Sequence, residues 1–562
     1  MHAILLNRRL RELADIIVPE TQVGFRPEHG AADGVGVIRR VFECFRTTKV
    51  TNINDDQDAG VYALFVDLAK AFDSVDRTLL WQLLESKCGV PANVIAAIRN
   101  LHDGMQACTF HCGKLGQPFA FKTGVRQGSI EGPTLWNIFY CFLLLDWKRR
   151  CDESIGDERG VSFEYTLDGV LRSNTRHKLS SGTHRTVLED IEYADDLVIF
   201  ETSWTKFAEA TRILDETCMA WGAEISTKKT KWVYITPEVA LHPAPDLFIR
   251  GEQIERVHEF IYLGSIVGDS YSLGVTEDIE RRIAEATKIF GRLQPMWKSH
   301  KLSRYIKRRL FLVCVSSVLL YGCENWHLTS TTSLMINSFW YGKIRSILGI
   351  SWAKMREERI TNEWCAQRLG VPDWRVLLGR RHARWLGHIA RMAPSRPAKQ
   401  TLFGSVHGRK ATRTGLKKTL VTQANVGLNG LPDLDTRIWA HIAQDKLKWN
   451  SLCEGWDVNA QSFHIDNPRR CPLCEADFTH LGQHITAKHP VNAAKFVCED
   501  ATCRAEFLTK KARTQHMEIA HGIDTGKVAK RFQCPHDGCK SKPFRWNSEL
   551  QSHLKRVHKE SI

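Results

Sequence analysis

The stretch Ile191-Glu192-Tyr193-Ala194-Asp195-Asp196-Leu197-Val198-Ile199-Phe200 sets two adjacent acids between apolar and β-branched residues. It reads as a β-hairpin carrying Asp195 and Asp196 at its tip, with the Asp-Asp pair at the turn position. Two ionised carboxylates about 4 Å apart repel by roughly 4 kcal/mol at an effective dielectric near 20. Apolar strands around such a pair therefore point to a cation. By itself an Asp-Asp turn is more often a solvated loop, and the rest of the chain decides between the two.

Upstream, Val61-Tyr62-Ala63-Leu64-Phe65-Val66-Asp67 is a short apolar run ending on an acid, as a buried strand does. The helix after it has Asp73 or Ser74 as its cap. It carries Val75, Leu79, Leu80, Leu83 and Leu84 on its inner side and stops at Gly89. Asp67 precedes Asp195 by 128 residues, and neighbouring strands of one sheet bring the two together. Three carboxylates at one point are what a two-metal phosphoryl-transfer site requires.

Between these acids, residues 122–139 (KTGVRQGSIEGPTLWNIF) form a Gly-rich turn feeding an apolar helix that runs to about Trp147. A glycine turn and a helix N-terminus suit a phosphate or a base edge; an ordinary turn and cap is the plainer reading. Segment 148–187 is polar and reads as a hairpin insertion. A helix over about 204–222 leads to Ile225-Ser226-Thr227-Lys228-Lys229-Thr230-Lys231-Trp232. A lysine there either serves a leaving pyrophosphate or ends a solvated basic strand.

A chain of 562 residues holds several domains, and 43% hydrophobic with 25% charged residues describes an ordinary globular protein. The net charge of +15 favours a polyanionic partner such as nucleic acid, with a membrane surface as the competitor on charge alone. Met1 to Val18 alternates like an amphipathic helix rather than a secretory signal, and the longest apolar run, Leu310 to Tyr321, is too short to span a bilayer. Of 17 cysteines, six fall in paired spacings near the C-terminus, which suggests metal sites in a reducing, intracellular compartment.

Met1 to Phe45 reads as mainly helical, broken at Thr21–Pro27, and Thr47 to Ala59 as a polar loop. Residues 255–400 read as basic helices interspersed with Trp297, Trp326, Trp340, Trp352, Trp364, Trp374 and Trp385, most of them core. Residues 394–432 mix Pro, Gly, Ser and Lys/Arg and read as a linker, followed by a short helix from Thr436 to Leu452.

The ordered set VDLAKAFDSV (66–75), TGVRQGSIEGPTLWN (123–137), YADDLVIF (193–200) and ISTKKTKW (225–232) resembles motifs A, B, C and D of a reverse transcriptase. More narrowly it is similar to the non-LTR (LINE-type) retrotransposon enzymes. The flanks agree: QVGFRPEHGAADGV (22–35) resembles their fingers segment, and FIYLGSIVGD (260–269), LLYGCENW (319–326) and RRHARWLGHIARM (380–392) their thumb-like region.

The resemblance covers roughly residues 5–450. It implies an α/β (α+β) right-hand polymerase: partial fingers over 1–60, palm over 61–250, and helical thumb or connection over 251–393. A linker with a short helix over 394–460 and a zinc-finger tail over 461–562 follow.

Carried over by position, the resemblance implies Asp67, Asp195 and Asp196 as carboxylates for two Mg²⁺ ions, Asp196 being the more peripheral. Phe72 matches the bulky gate against a ribose 2′-hydroxyl, and is equally a core aromatic. Arg126, Gln127 and Gly128 line nucleotide and template, Lys229 is the acid for pyrophosphate, and Arg26 touches triphosphate. The implied activity is RNA-directed DNA polymerisation, copying RNA and also DNA templates from a DNA primer or target with deoxynucleotides, away from membranes. The implied setting is a nuclear or cytoplasmic ribonucleoprotein.

Two departures bear on this. Ile130-Glu131-Gly132 replaces the usual Pro-Leu-Ser and puts an acid near the nucleotide channel. Earlier fingers motifs and the upstream endonuclease of many relatives are not in this sequence, so the expectation is a fragment of a larger polyprotein. The alternative is a zinc-dependent nucleic-acid binder without turnover, an inactive relic or a domesticated protein. An RNA-dependent RNA polymerase is disfavoured by Phe72 and by Ala194, where those enzymes usually place Gly.

From 471 the composition changes. Cys471-x2-Cys474-x9-His484-x4-His489, Cys498-x4-Cys503-x12-His516-x4-His521 and Cys534-x4-Cys539-x13-His553-x4-His558 each supply two thiolates and two imidazoles. That is a tetrahedral structural Zn²⁺ set, for up to three ions. The second and third match Cys2His2 fingers, with Phe507 and Phe544 at the core aromatic position. The first is short between Cys and His.

Overall fold

The computed structural model describes residues 2–50, 59–167, 169–171, 183–237, 245–411 and 419–460. C-terminal to these it describes 470–474, 476–477, 484–485, 489, 496–497, 506–507 and 517. Its organising element is a four-stranded antiparallel sheet built from β1 (Val61–Val66), β2 (Asp190–Tyr193), β3 (Asp196–Glu201) and β4 (Lys231–Ile235), in the order β4-β1-β3-β2.

Every residue of β1 is buried, because the two-residue period of a strand aims alternate side chains at two different cores. Val61, Ala63 and Phe65, with Val198, Phe200, Val233 and Ile235, join one core. Tyr62, Leu64 and Val66, with Leu197, Ile199, Trp232 and Tyr234, join the other. The second core is closed by α1 (His2–Ile17), through Leu6, Leu10, Ala14 and Ile17, and by the long helices α3 (Gly132–Ile155) and α4 (Trp204–Ala220).

The first core is centred on α2 (Ala31–Thr47), buried from Asp33 to Thr47. Val37, Ile38, Val41, Phe42 and Phe45 are inaccessible to solvent, each contributing about 1.5–3 kcal/mol by area. The helix also buries charge, which is tolerable only because each group is ion-paired or, like Arg46 on the Thr236 and Asp269 carbonyls, hydrogen-bonded. Arg39 meets Asp278 at 3.1 Å, Arg40 meets Glu43, and Asp33 accepts from Arg396 at 3.3 Å and from the Trp385 indole at 3.2 Å.

The described parts of 394–432, residues 394–411 and 419–432, are not a linker. Pro397–Leu402 is a buried helix against α2, Gly404–Val406 pairs with Val161–Tyr165, and Leu420–Asn429 packs its Leu420, Val421, Ala424 and Leu428 into the first core. Each element is too short for its own periodicity to stand out above the basic and Pro/Gly composition. The core continues through Trp439, Trp449 and Trp456. The Trp456 and Trp449 rings lie on α6 (Trp374–Arg391, numbered after α5 below) at its glycines: a Cβ on Gly379 would stand 2.2 Å from Trp456, and one on Gly387 2.0 Å from Trp449.

Over residues 259–268, where the sequence reads as helix from 255 onward, the structure has a hairpin: β5 (Glu259–Tyr262) and β6 (Ser265–Gly268), turning on Leu263 and Gly264, both at positive φ. The helices beyond it, beginning with α5 (Val275–Arg292), build a third core over residues 275–378. Trp297, Trp326, Trp340 and Trp374 are buried there and Trp385 in the first core, whereas Trp352 and Trp364 are exposed. Strands Val161–Tyr165 and His184–Leu188 form the anticipated hairpin insertion. Among the described residues no helix is long and apolar enough to cross a membrane.

Candidate active site

β2 and β3 form the anticipated hairpin, but the turn falls on Ala194 and Asp195: Asp196 already pairs with Tyr193. Ala194 takes the left-handed conformation at φ 60. Val66 of β1 pairs with Leu197 of β3, so Asp67 stands one step further along, beside Asp196. The register thus brings the three predicted carboxylates together. Asp195 is half-buried and Asp196 exposed.

The geometry raises the energy of the charged forms. Burial, with the Asp67 charge added, raises the Asp195 carboxyl above the usual range. Burial, then Asp195 and Asp67, pushes Asp196 up to about 6. Two further acids on these strands behave alike: burial pushes Glu192 up to about 8 and Glu201 up to about 7.

A carboxyl raised on folding binds protons the unfolded chain has released, so stability falls as pH rises through its folded value. The melting temperature is therefore expected to be higher at pH 6 than at pH 8.5. Divalent-ion binding at the carboxylates is expected to run the opposite way and weaken below about pH 6. Melting curves and Mn²⁺ titrations over this range check both, and parallel trends would refute the assignment.

The segment 224–230 brackets Asp67. Its N–H donates to Thr230 Oγ1 at 3.2 Å, its C=O accepts from Ser226 N–H at 2.8 Å, and Lys229 Nζ lies 3.1 Å from its Oδ1. Lys229 is therefore at the carboxylates, on an ion pair open to water.

Phe72 stacks on Trp136 of α3 at 5.1 Å and meets Phe25 edge-on at 6.3 Å. The loop carrying Arg126, Gln127 and Gly128 is docked against it: Val125 N–H donates to Phe72 O and Gly124 N–H to Val75 O, each at 2.8 Å. Arg126, Gln127 and Gly128 themselves are exposed.

Several expectations are corrected. The helix after Asp67 is two pieces, Ala71–Ser74 and Arg77–Ser86, and the longer one is capped by Asp76, which accepts from the Thr78 and Leu79 N–H groups at 2.7 and 3.1 Å. Asp73 and Ser74 lie in the short turn before it. Arg26 is engaged structurally: its guanidinium donates to Pro19 O at 2.6 Å and lies 3.6 Å from Glu20. Burial alone would raise Glu20, but His29, Arg26 and Arg396 hold it down to about 2. Glu131 is buried at the N-terminus of α3, where the helix dipole favours an acid.

Four residues that sequence reasoning passed over shape the site. Thr230 and Gln22 fix backbone at the acids. Arg77 donates to the Gly124, Thr123, Phe121 and His102 carbonyls, holding the loop from behind. Tyr262 of β5 donates its hydroxyl to Asp196 O at 3.3 Å. Only the Tyr262 hairpin had a local signal, its alternating β-branched and aromatic residues about a Leu-Gly turn.

In the tail, the ligand atoms of Cys471, Cys474, His484 and His489 all lie within 4.8 Å of one another. Two thiolates and two imidazoles at this spacing fit a tetrahedral Zn²⁺, whose bonds of about 2.0–2.3 Å keep donors ~3.3–3.8 Å apart. Cys471 N–H donates to Ala476 O at 2.8 Å, forming the turn that carries both thiols. His441 Nε2 meets His489 O at 2.7 Å and Arg437 donates to Arg470 O at 3.2 Å, tying the cluster to the first core. Cys498, Cys503, His516, His521, Cys534, Cys539, His553 and His558 lie outside the described residues.

Residues 2–267 match the family described as reverse transcriptase (RNA-dependent DNA polymerase). The chain is 24% identical over 365 residues to the RNA-directed DNA polymerase from the mobile element jockey of Drosophila funebris, covering 63% of this chain and 34% of that one. It is 25% identical over 276 residues to a putative transposon-derived protein of Caenorhabditis elegans, covering 47% of this chain and 94% of that one. It is 21% identical over 329 residues to a probable RNA-directed DNA polymerase from transposon BS of Drosophila melanogaster, covering 56% and 31%. The chain thus spans about a third of the length of the jockey and BS proteins. Among solved structures, telomerase from Candida albicans aligns with a TM-score of 0.37 at 12% identity, covering 64% of this chain and 56% of that one.

Proposed function

We propose, from the premise that residues 2–267 are a reverse transcriptase domain of the non-LTR retrotransposon kind, that this chain is an RNA-directed DNA polymerase. It extends a DNA primer with deoxynucleotides along an RNA template, and is part of a larger element-encoded polyprotein. The observation that carries the reading is the sheet register that sets Asp67 beside Asp196, with Asp195 in the adjoining turn.

The donor set fits divalent cations, since the Asp67 charge raises the affinity of Asp195 and Asp196 for positive charge. Asp67, Asp195 and Asp196 would hold Mg²⁺, which when bound supplies Lewis acidity to the attacking hydroxyl and the leaving pyrophosphate. The chain's own residues do the rest. Lys229, at hydrogen-bond distance from Asp67, is placed to give a proton to pyrophosphate. Phe72, braced by Trp136 and Phe25, walls the sugar and selects deoxyribose. Arg126, Gln127 and Gly128 face the nucleotide from the docked loop.

Purified protein should extend a DNA primer on an RNA template with Mg²⁺ and deoxynucleotides, and not with ribonucleotides. No extension, with nucleic-acid binding retained, would leave the binder reading in its place.

Zinc at Cys471, Cys474, His484 and His489, and at the two further Cys2His2 sets, is part of the proposal, with the tail as a nucleic-acid-binding module. Bound zinc is expected to reach three ions per chain by atomic absorption and to fall by one in Cys471→Ser. Chelation should release the tail to protease while the palm still melts cooperatively, because classical fingers fold only on their metal. Unchanged zinc content in Cys471→Ser would refute the first site.

A further inference from the structure

The palm sheet ends on β2, and an edge strand leaves a row of unpaired N–H and C=O groups. Residues 21–24 cover that edge. Gln22 bridges Glu192 in parallel register, Val23 N–H donates to Glu192 O at 2.8 Å and Glu192 N–H donates to Thr21 O at 3.0 Å. Beyond Tyr193 the backbone turns away at Ala194, and no straight strand can follow it.

There the Gln22 side chain takes over from the backbone. Its Oε1 accepts from Ala194 N–H at 2.8 Å while its Nε2 donates to Ala194 O at 3.1 Å. The same Oε1 accepts from Gly24 N–H at 2.8 Å. Gln22 and Ala194 are 3% and 4% exposed, so both partners are removed from water. Gly24 completes the fit: a Cβ on it would stand 2.3 Å from Ala194 N. Its C=O accepts from Asn137 Nδ2 of α3 at 2.9 Å.

We infer that Gln22 is a positioning residue for the catalytic carboxylates: its carboxamide clamps Ala194 in the left-handed turn and so sets where Asp195 and Asp196 present their oxygens. This rests on the polymerase reading above for its catalytic consequence. A carboxamide is the side chain that suits, since the task needs one donor and one acceptor a fixed distance apart. Glutamate loses the donor and buries a charge beside Glu192, asparagine is a methylene too short, and methionine fills the space with neither group.

The test is Gln22→Met in the full chain, with Thr21→Val as comparator. Thr21→Val removes the hydroxyl bond to Glu192 Oε1 at 3.1 Å without touching Ala194. For Gln22→Met, kcat for primer extension is expected to fall at least about tenfold and the Mg²⁺ needed for half-maximal rate to rise about tenfold, with KM for deoxynucleotide nearly unchanged. Mn²⁺ affinity by calorimetry, corrected with Asp195→Ala/Asp196→Ala, is expected to weaken about tenfold, and this arm reads out whether or not primer is extended. Adding Ala194→Gly should restore most of the loss, because glycine adopts positive φ without a clamp. Thr21→Val should lower the melting temperature alone.

Wild-type kcat, Mg²⁺ requirement and Mn²⁺ affinity in Gln22→Met would overturn the inference. So would losses that follow the melting temperature and are not rescued by Ala194→Gly. A wild-type chain that extends nothing while Gln22→Met still weakens Mn²⁺ binding would overturn the polymerase reading and leave the clamp standing.

Discussion

Asp195→Ala/Asp196→Ala is expected to abolish primer extension and at the same time to raise the melting temperature at neutral pH. The loss should be on the order of 10³-fold or more, since removing the carboxylates forfeits several kcal/mol of transition-state stabilisation at about 1.4 kcal/mol per decade. The gain follows from the same charges. Asp195 and Asp196 are both raised by burial and by their neighbours, so in the metal-free protein each ionised carboxylate opposes folding. For Asp196, which is exposed, solvent screening leaves on the order of 1 kcal/mol. Steady-state extension with Mg²⁺ and melting of the metal-free proteins give the two numbers. A double variant that extends primer, or melts below the parent, contradicts the assignment.

The second large effect is expected at Gly124. It has φ +83, and a Cβ there would meet Asp73 Cα, O and C at 2.7, 2.8 and 2.9 Å, all of them backbone that cannot swing aside. Gly124→Ala must therefore push the loop off the motif A turn and break the Gly124–Val75 and Val125–Phe72 hydrogen bonds. The expected cost is about 2–4 kcal/mol of stability, with an extension rate lowered ~100-fold as Arg126, Gln127 and Gly128, proposed to face the nucleotide, shift.

Gly128→Ala is the matched control. Its φ is +79, but a Cβ meets nothing within 4 Å. It should therefore cost only the left-handed penalty of about 1–2 kcal/mol. Equal stability losses in the two variants would show that close packing of Gly124 on Asp73 is not what holds the loop.

What the sequence determined by itself is the set of features whose signal is local. The apolar run 61–66 ending on Asp67, the hairpin 190–201, the amphipathic helix at the N-terminus and the Cys471/Cys474/His484/His489 spacing all have their cause within a few residues of themselves. Periods of 2 and 3.6 and the spacing of ligands are properties of the chain alone.

Only the tertiary structure decided the rest. The turn sits on Ala194 and Asp195 rather than on Asp195 and Asp196, with Gln22, 172 residues away, supplying both hydrogen-bond partners of the Ala194 backbone. Arg26 is held by Glu20 and the Pro19 carbonyl. Residues 397–406 and 420–434 are core rather than linker because α2 and Trp439 cover their short apolar faces. In each case the energy comes from a partner distant in sequence, a backbone group needing a hydrogen bond or an apolar face needing cover. No window of the chain contains both halves of such a contact.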